Sequence, residues 1–265
     1  MTLVVMVDGL RADAVESGSM PNLCMLKEGK WHRNYKSAWS LTGQLALGAL
    51  PSSAPNHVSI ATGFGPAVHG IKTNSDLEGG KASSVQTWLK RIEDSKEGRK
   101  SLFVYAWAPD ANIAPSENIE ALSGNDEDNA LRLPLRLLSD KAPDATLYFI
   151  NCLDDAGHSS GFYPFSTQYR NTLAKVDEYI GMCLRAIASR PTFEDENWLI
   201  AVTSDHGGLD KYHGQIKVGR HADTVPLIIS SPSPSNLCIA GAPRNFDVAA
   251  CALNHFGISV QNIQA

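Results

Sequence analysis

The chain has 265 residues, 43% of them hydrophobic and 19% charged, and carries a formal net charge of -5. That length accommodates one large α/β domain with a sizeable core, and the composition excludes the disordered and membrane-embedded classes. The acidic balance supplies no basic field for duplex nucleic acid, which needs clustered Lys and Arg.

The chain opens on the apolar run "TLVVMVD" (2–8), a predicted strand. No basic n-region or long apolar h-region precedes it, and no run reaches the roughly 20 residues needed to cross a bilayer, so a cytoplasmic protein is expected. Next comes "LPSSAPNHVSIATG" (50–63), which sets Ser52 and Ser53 before Pro55 and a helix-like segment that Gly63 ends. A serine there ordinarily caps a helix. "SLFVYAW" (101–107) reads as a second strand, followed after Asp126 by a helical pattern through Leu131, Leu135 and Leu138. "TLYFINC" (146–152) is a third strand. A long helix is predicted over 166–189, with Leu173, Val176, Ile180, Cys183 and Ile187 at three- and four-residue spacing. "WLIAVTSD" (198–205) and "VPLIIS" (225–230) are further strands, and "SSPSPSN" (230–236) is a loop. The last helix lies within "NFDVAACALNHFGI", with Asn245 or Asp247 as its cap and Gly257 as its stop. The five cysteines, Cys24, Cys152, Cys183, Cys238 and Cys251, form no C-x-x-C pair and read as free thiols.

Continuous apolar strands alternating with helices imply a three-layer αβα sandwich around a central, mostly parallel sheet. No Pro/Gly/Ser-rich linker or internal repeat divides the chain, so residues 1–265 read as one domain.

The informative feature is how the strands end. One runs into Asp8-Gly9, one into Asp154, Asp155 and His158, and one into Asp205-His206-Gly207-Gly208, with His213 close behind. Ligands of open α/β sheets sit beyond the carboxyl ends of the strands. Carboxylates gathered there repel one another unless a cation lies between them. Mixed His and carboxylate donors without thiolate suit Zn²⁺, with Mn²⁺ or Fe as alternatives, and so many donors suit two ions better than one.

Taken in order, "VDGLRADAV", "SAPNHVSIATGFGPAVHGIKTN", "DDAGHSSG", "TSDHGGLDKYHG" and "FDVAACALNHFGI" resemble the alkaline phosphatase superfamily, and within it the nucleotide pyrophosphatase/phosphodiesterase branch. The resemblance spans nearly the whole chain. It implies a metal-dependent hydrolase of small phosphodiesters or nucleotides, with short cap insertions and two divalent ions. Asp154, His158 and a later histidine would hold one ion; Asp8, Asp205, His206 and the nucleophile would hold the other. By its offset from Asn56 the nucleophile is Ser53, which would form a covalent phospho-enzyme, while Ser52 keeps the capping role. Asn74 would bind a non-bridging phosphate oxygen. His213 is favoured as the later histidine, with His221 as the alternative. Residues 75–145 are expected to shape substrate choice, and Trp107, Phe162 and Tyr163 either stack on substrate or pack. Arg11 is expected to pair at the surface. A phosphomonoesterase, a sulfatase lacking its usual arginine or a phosphonate hydrolase of the same superfamily, and a non-catalytic metal-binding protein are the rival readings.

Overall fold

The computed structural model describes residues 1–214, 219–237, 239 and 241–259. Among the described residues seven strands form one sheet: β1 (Thr2–Val7), β2 (Lys36–Gln44), β3 (Ser101–Tyr105), β4 (Glu120–Ser123), β5 (Ala145–Ile150), β6 (Leu199–Thr203) and β7 (Thr224–Ser231). Their spatial order is β2-β7-β6-β1-β5-β3-β4. The neighbours β6-β1-β5-β3-β4 pair in parallel, while β7 runs antiparallel to both β6 and β2.

The helices are α1 (Pro21–Lys27), α2 (Ser53–Thr62), α3 (Pro66–His69), α4 (Asn74–Glu78), α5 (Trp88–Asp94), α6 (Asp126–Leu138), α7 (Cys152–Ser160), α8 (Thr167–Ala188), α9 (Arg220–Asp223) and α10 (Asp247–His255). Successive residues of a strand face opposite sides, and β1 feeds both cores accordingly. Leu3, Val5 and Val7 join the side chains of α1, α6 and α8, whereas Val4 and Met6 join those of α2, α5 and α10. The result is the expected α/β sandwich, mostly parallel, with both faces of the sheet covered.

Two strands escape the sequence reading. β2 is a half-exposed edge strand whose register shifts between Ser40 and Gly43, and β4 is an edge strand of four residues. Neither has the continuous apolar run that marks a central strand. The helix after Asp126 is present, but Ala130, Leu133 and Leu137 face the core, while Leu131, Leu135 and Leu138 are exposed. The stretch 75–145 builds α5, β3, β4 and α6, part of the sheet and its covering layers, and its Glu78, Trp107 and Asp126 stand on the walls of the cleft at the strand ends.

At the last helix Phe246 occupies the N-cap position. Asp247 lies inside the first turn and accepts from the Arg244 N–H at 2.8 Å. Asn245 instead donates to the backbone carbonyls of Ser204 and Asp205, which ties α10 to the loop after β6. Gly257 ends the helix with φ 70°, a conformation glycine adopts without penalty. Cys24, Cys152 and Cys183 are free thiols, Cys251 is buried on α10, and Cys238 lies outside the described residues. No described helix is long and apolar enough to cross a membrane.

Candidate active site

The carboxyl ends of three adjacent strands, β6, β1 and β5, supply most of the site. Asp8 directly follows β1 and Asp205 follows β6, while Asp154 and His158 lie one turn apart on α7 after β5. The turn after Asp8 requires glycine. Gly9 has φ +74°, and a Cβ there would lie 3.0 Å from the Asp154 Cα. Its N–H donates to Asp205 Oδ1 at 3.1 Å, locking two of the strand ends together.

Ser53 is the first residue of α2, a helix whose ten residues are all buried. Asn56 donates to the carbonyls of Leu50 and Ser52, both at 2.8 Å, and so fixes the chain as it enters the helix. Pro55 lies in the first turn, where its missing N–H costs no intrahelical bond. The helix therefore aims its free N–H groups and the Ser53 hydroxyl at the strand ends, and negative charge is favoured there. Ser52 does not cap through its side chain. Its hydroxyl donates instead to Asn74 Oδ1 at 2.8 Å, and the Ala54 N–H donates to the same oxygen at 2.9 Å. With its oxygen committed to α2, Asn74 offers its amide hydrogens to the cleft that it lines.

Four imidazoles converge on the strand ends, each anchored by Nδ1. His158 Nδ1 is 2.8 Å from the Lys211 carbonyl, His206 Nδ1 2.9 Å from that of Gly207, and His213 Nδ1 2.8 Å from that of Pro51. His57, one turn beyond Ser53 on α2, has Nδ1 2.8 Å from Asp110 Oδ1. At His158, His206 and His213 an Nδ1–H given to a carbonyl leaves Nε2 as the free nitrogen, the arrangement typical of metal-binding histidines; His57 differs in having carboxylates within 3.3 Å of both its nitrogens.

The Nε2 atoms meet the carboxylates in two groups. In one, His158 Nε2 is 2.8 Å from His213 Nε2 and 3.3 Å from Asp154 Oδ2, and His213 Nε2 is 3.4 Å from Asp154 Oδ1. In the other, His206 Nε2 lies 3.1 Å from Asp205 Oδ2, 3.4 Å from Asp8 Oδ1 and 3.4 Å from Ser53 Oγ. A tetrahedral ion with bonds of about 2.0–2.1 Å has neighbouring donors about 3.3 Å apart. The His206 and His213 rings stack with centroids 3.8 Å apart, joining the two groups.

Asp8 Oδ1, Asp154 Oδ1 and Asp205 Oδ2 are buried and have no hydrogen-bond partner. Unpartnered buried atoms of this kind are costly unless a cation completes them. The donor set therefore fits divalent ions. Burial, followed by the charge of Asp205, pushes the Asp8 carboxyl up to about 7. Burial also raises Asp205 and Asp154, the latter further through Asp8. Burial and then His213 hold His206 well below the usual imidazole range, whereas the hydrogen bond to Asp154 lifts His158 to about 9.

Of the eight residues singled out from the sequence, Asp8, Ser53, Asn74, Asp154, His158 and His213 line one cleft of about 580 Å³, and Asp205 and His206 lie fully buried behind it, His206 against Asp8, Ser53 and Asp205. His221 does not join them. It is half exposed on α9, with Nδ1 3.0 Å from Arg11 Nη2 and 4.0 Å from Asp13. Arg11 is itself buried but pairs as expected with a half-exposed partner, its Nε and Nη2 donating to the Asp13 carboxylate at 2.9 and 2.6 Å. Its Nη1 donates to the Phe162 carbonyl at 2.7 Å and to that of Gly208 at 3.3 Å, bracing the loops behind the site. Trp107 lines the cleft. Phe162 is fully buried and serves packing, while Tyr163 hydrogen-bonds to Asp210 and stacks on Phe165; neither lines the cleft. His57 and Asp110 were missed from the sequence. The i, i+4 spacing of Ser53 and His57 on a helix was a usable signal for the first, while nothing local marked Asp110.

A family model described as type I phosphodiesterase / nucleotide pyrophosphatase matches residues 2–96 and 81–229. The chain belongs to this family. Among curated relatives, mouse ectonucleotide pyrophosphatase/phosphodiesterase family member 3 is 27% identical over 228 residues, covering 76% of this chain and 24% of the relative. A Schizosaccharomyces pombe pyrophosphatase/phosphodiesterase is 27% identical over 227 residues, covering 77% of this chain and 44% of its own length. The chain thus spans from a quarter to under half of these relatives. Among solved structures, murine ectonucleotide pyrophosphatase/phosphodiesterase 5, an inactive variant in complex with AMP, matches with a TM-score of 0.60 at 20% identity, over 78% of this chain and 56% of that one. A 2-O GAG sulfatase matches with a TM-score of 0.70 at 11% identity, over 100% of this chain and 72% of that one. Both share the alkaline-phosphatase-like fold.

Proposed function

We propose that this family member hydrolyses small phosphodiesters, nucleotides among them, with Ser53 as nucleophile and two divalent ions, Zn²⁺ being the best match. Asp154, His158 and His213 would hold one ion, and Asp8, Asp205 and His206 the other beside Ser53. When bound, such ions supply Lewis-acid polarisation of the phosphoryl oxygens and lower the pKa of a nearby hydroxyl or water. The carrying observation is Ser53 Oγ at a buried helix N-terminus, 3.4 Å from His206 Nε2 and among carboxylate oxygens that have no other partner.

Ser53, its proton lost to solvent, attacks phosphorus as the bond to the leaving oxygen breaks, giving phospho-Ser53 and the free alcohol or nucleotide. Water then attacks the same phosphorus, releases the phosphate product and restores the serine hydroxyl. The amide hydrogens of Asn74 are free to donate to a non-bridging oxygen, since its Oδ1 is engaged by Ser52 and Ala54. The N-terminus of α2 favours the negative charge that develops beside it.

The lining of the cleft favours a diester over a monoester. Among the described residues it contains no Lys or Arg, while Glu78, Asp126 and Asp155 stand on its walls. Two dications against three ligand carboxylates leave about one positive charge, a formal count that matches a diester monoanion better than a monoester dianion. The test is turnover of bis-(p-nitrophenyl) phosphate by the zinc-loaded chain, with p-nitrophenyl phosphate alongside. The diester should be hydrolysed faster, and Ser53→Ala should abolish turnover of both. Faster monoester hydrolysis would overturn the diester assignment, and an active Ser53→Ala variant would overturn the nucleophile.

A further inference from the structure

His57 is fully enclosed on α2, with its ring between Phe149, at 4.8 Å between centroids, and Trp107, which meets it edge-on at 5.7 Å. Its Nδ1 is anchored on Asp110 at 2.8 Å, and its Nε2 stands 3.3 Å from Asp8 Oδ2 and 3.3 Å from Asp205 Oδ2. It is thus equidistant from the two carboxylates assigned above to one ion. Asp110 comes from a separate short 3-10 turn, Ala108–Asn112, and among the described residues its side chain hydrogen-bonds to this ring alone; its Oδ2 has no partner. Burying a carboxylate for a single bond is expensive, so the bond has a consequence that offsets it. Asp8 and Asp205 arrive from adjacent strands, carry like charge and repel at this range.

We propose that Asp110 and His57 form a positioning pair that holds the Asp8 and Asp205 carboxylates in register for their cation. The ring cannot turn, because Asp110 fixes one edge and two aromatic rings flank it. Both carboxylates are therefore referred to a single rigid nitrogen. Loss of the anchor frees the ring, lets the carboxylates separate and weakens the ion beside Ser53, while the Asp154–His158–His213 group keeps its own anchors. The pair is a positioning device and touches no substrate.

This inference rests on the two-ion reading, and one experiment separates their failures. The metal-stripped full chain is titrated with Zn²⁺ against a competing chelator, as wild type, Asp110→Asn and His57→Gln, with circular dichroism monitoring the fold. Wild type should bind two ions. In both variants one ion should keep its affinity within about twofold, and the other should weaken by about 10–100-fold, the range for loss of an outer support. Diester turnover should recover as Zn²⁺ is raised, which a general structural lesion would not permit. His57→Gln carries the test if Asp110→Asn does not fold. Wild type with fewer than two ions overturns both the two-ion reading and this proposal. Two ions in wild type with unchanged affinities in a folded variant, or equal weakening of both, overturns the positioning pair alone.

Discussion

Replacing Phe162 with alanine tests how the scaffold holds its histidines. The ring is fully buried and seated where two glycines leave room for it: a Cβ on Gly157 or on Gly208 would come within 2.4 Å of the ring. It meets His158 edge-on at 5.4 Å and His213 at 5.9 Å between centroids. Deleting a buried phenyl ring where backbone cannot collapse costs about 3–5 kcal/mol. The two imidazoles also lose the wall that fixes their tilt, so the affinity of the Asp154–His158–His213 group for Zn²⁺ should fall by about 10–100-fold. Urea unfolding of the metal-free protein measures the first quantity, and Zn²⁺ titration under native conditions the second. Phe162→Leu, which refills most of the space, should lose about 1 kcal/mol and keep most of the affinity. A Phe162→Ala loss below about 1 kcal/mol would refute the packing argument. The full loss of stability with unchanged affinity would refute the link from packing to the metal group.

Three other outcomes are expected. His213→Ala should remove one ion by metal counting while His221→Ala retains both, since His221 pairs with Arg11 and Asp13 away from the cleft; the reverse pattern would exchange their roles. Gly207→Ala should destabilise by about 2 kcal/mol or more in urea unfolding, because its Cβ would sit 2.1 Å from the His221 carbonyl oxygen and overpacking against backbone is poorly relieved. A wild-type midpoint would show that this loop shifts freely. Burial pushes the Glu196 carboxyl up, but hydrogen bonds from Arg190, Thr192 and Trp198 outweigh it and hold the group at about 2, below its usual 4.5. The depressed value means that its stabilisation is complete above about pH 4.5 and is lost as pH falls toward 2. The stability gap between wild type and Glu196→Gln should accordingly be flat from pH 7 to 5 and shrink below that; a gap independent of pH down to 2.5 would contradict the assignment.

The central strands were legible because β1, β5 and β6 are continuous apolar runs that stop at a carboxylate or just short of one, and that same feature located the site. β2 and β4 were not legible, because an edge strand buries too little to impose a pattern. In α6, "LRLPLRLL" offers two leucine stripes, and periodicity alone does not say which one the sheet will cover; Leu133 and Leu137 were the buried pair. At the site, residues set by strand ends or by short motifs were found from spacing. Ser52 was misread because its hydroxyl reaches Asn74, twenty-two positions away, in preference to its own helix. Asp110 was invisible for the same reason: its function is defined by His57, which is distant in the chain and adjacent only after folding.

The most direct test of the central claim is anomalous diffraction at the zinc edge from crystals of the Zn²⁺-loaded chain. Two peaks are predicted, one bounded by Asp154, His158 and His213 and the other by Asp8, Asp205 and His206 within bonding reach of Ser53 Oγ. A single peak, or a second peak remote from Ser53, would contradict the account.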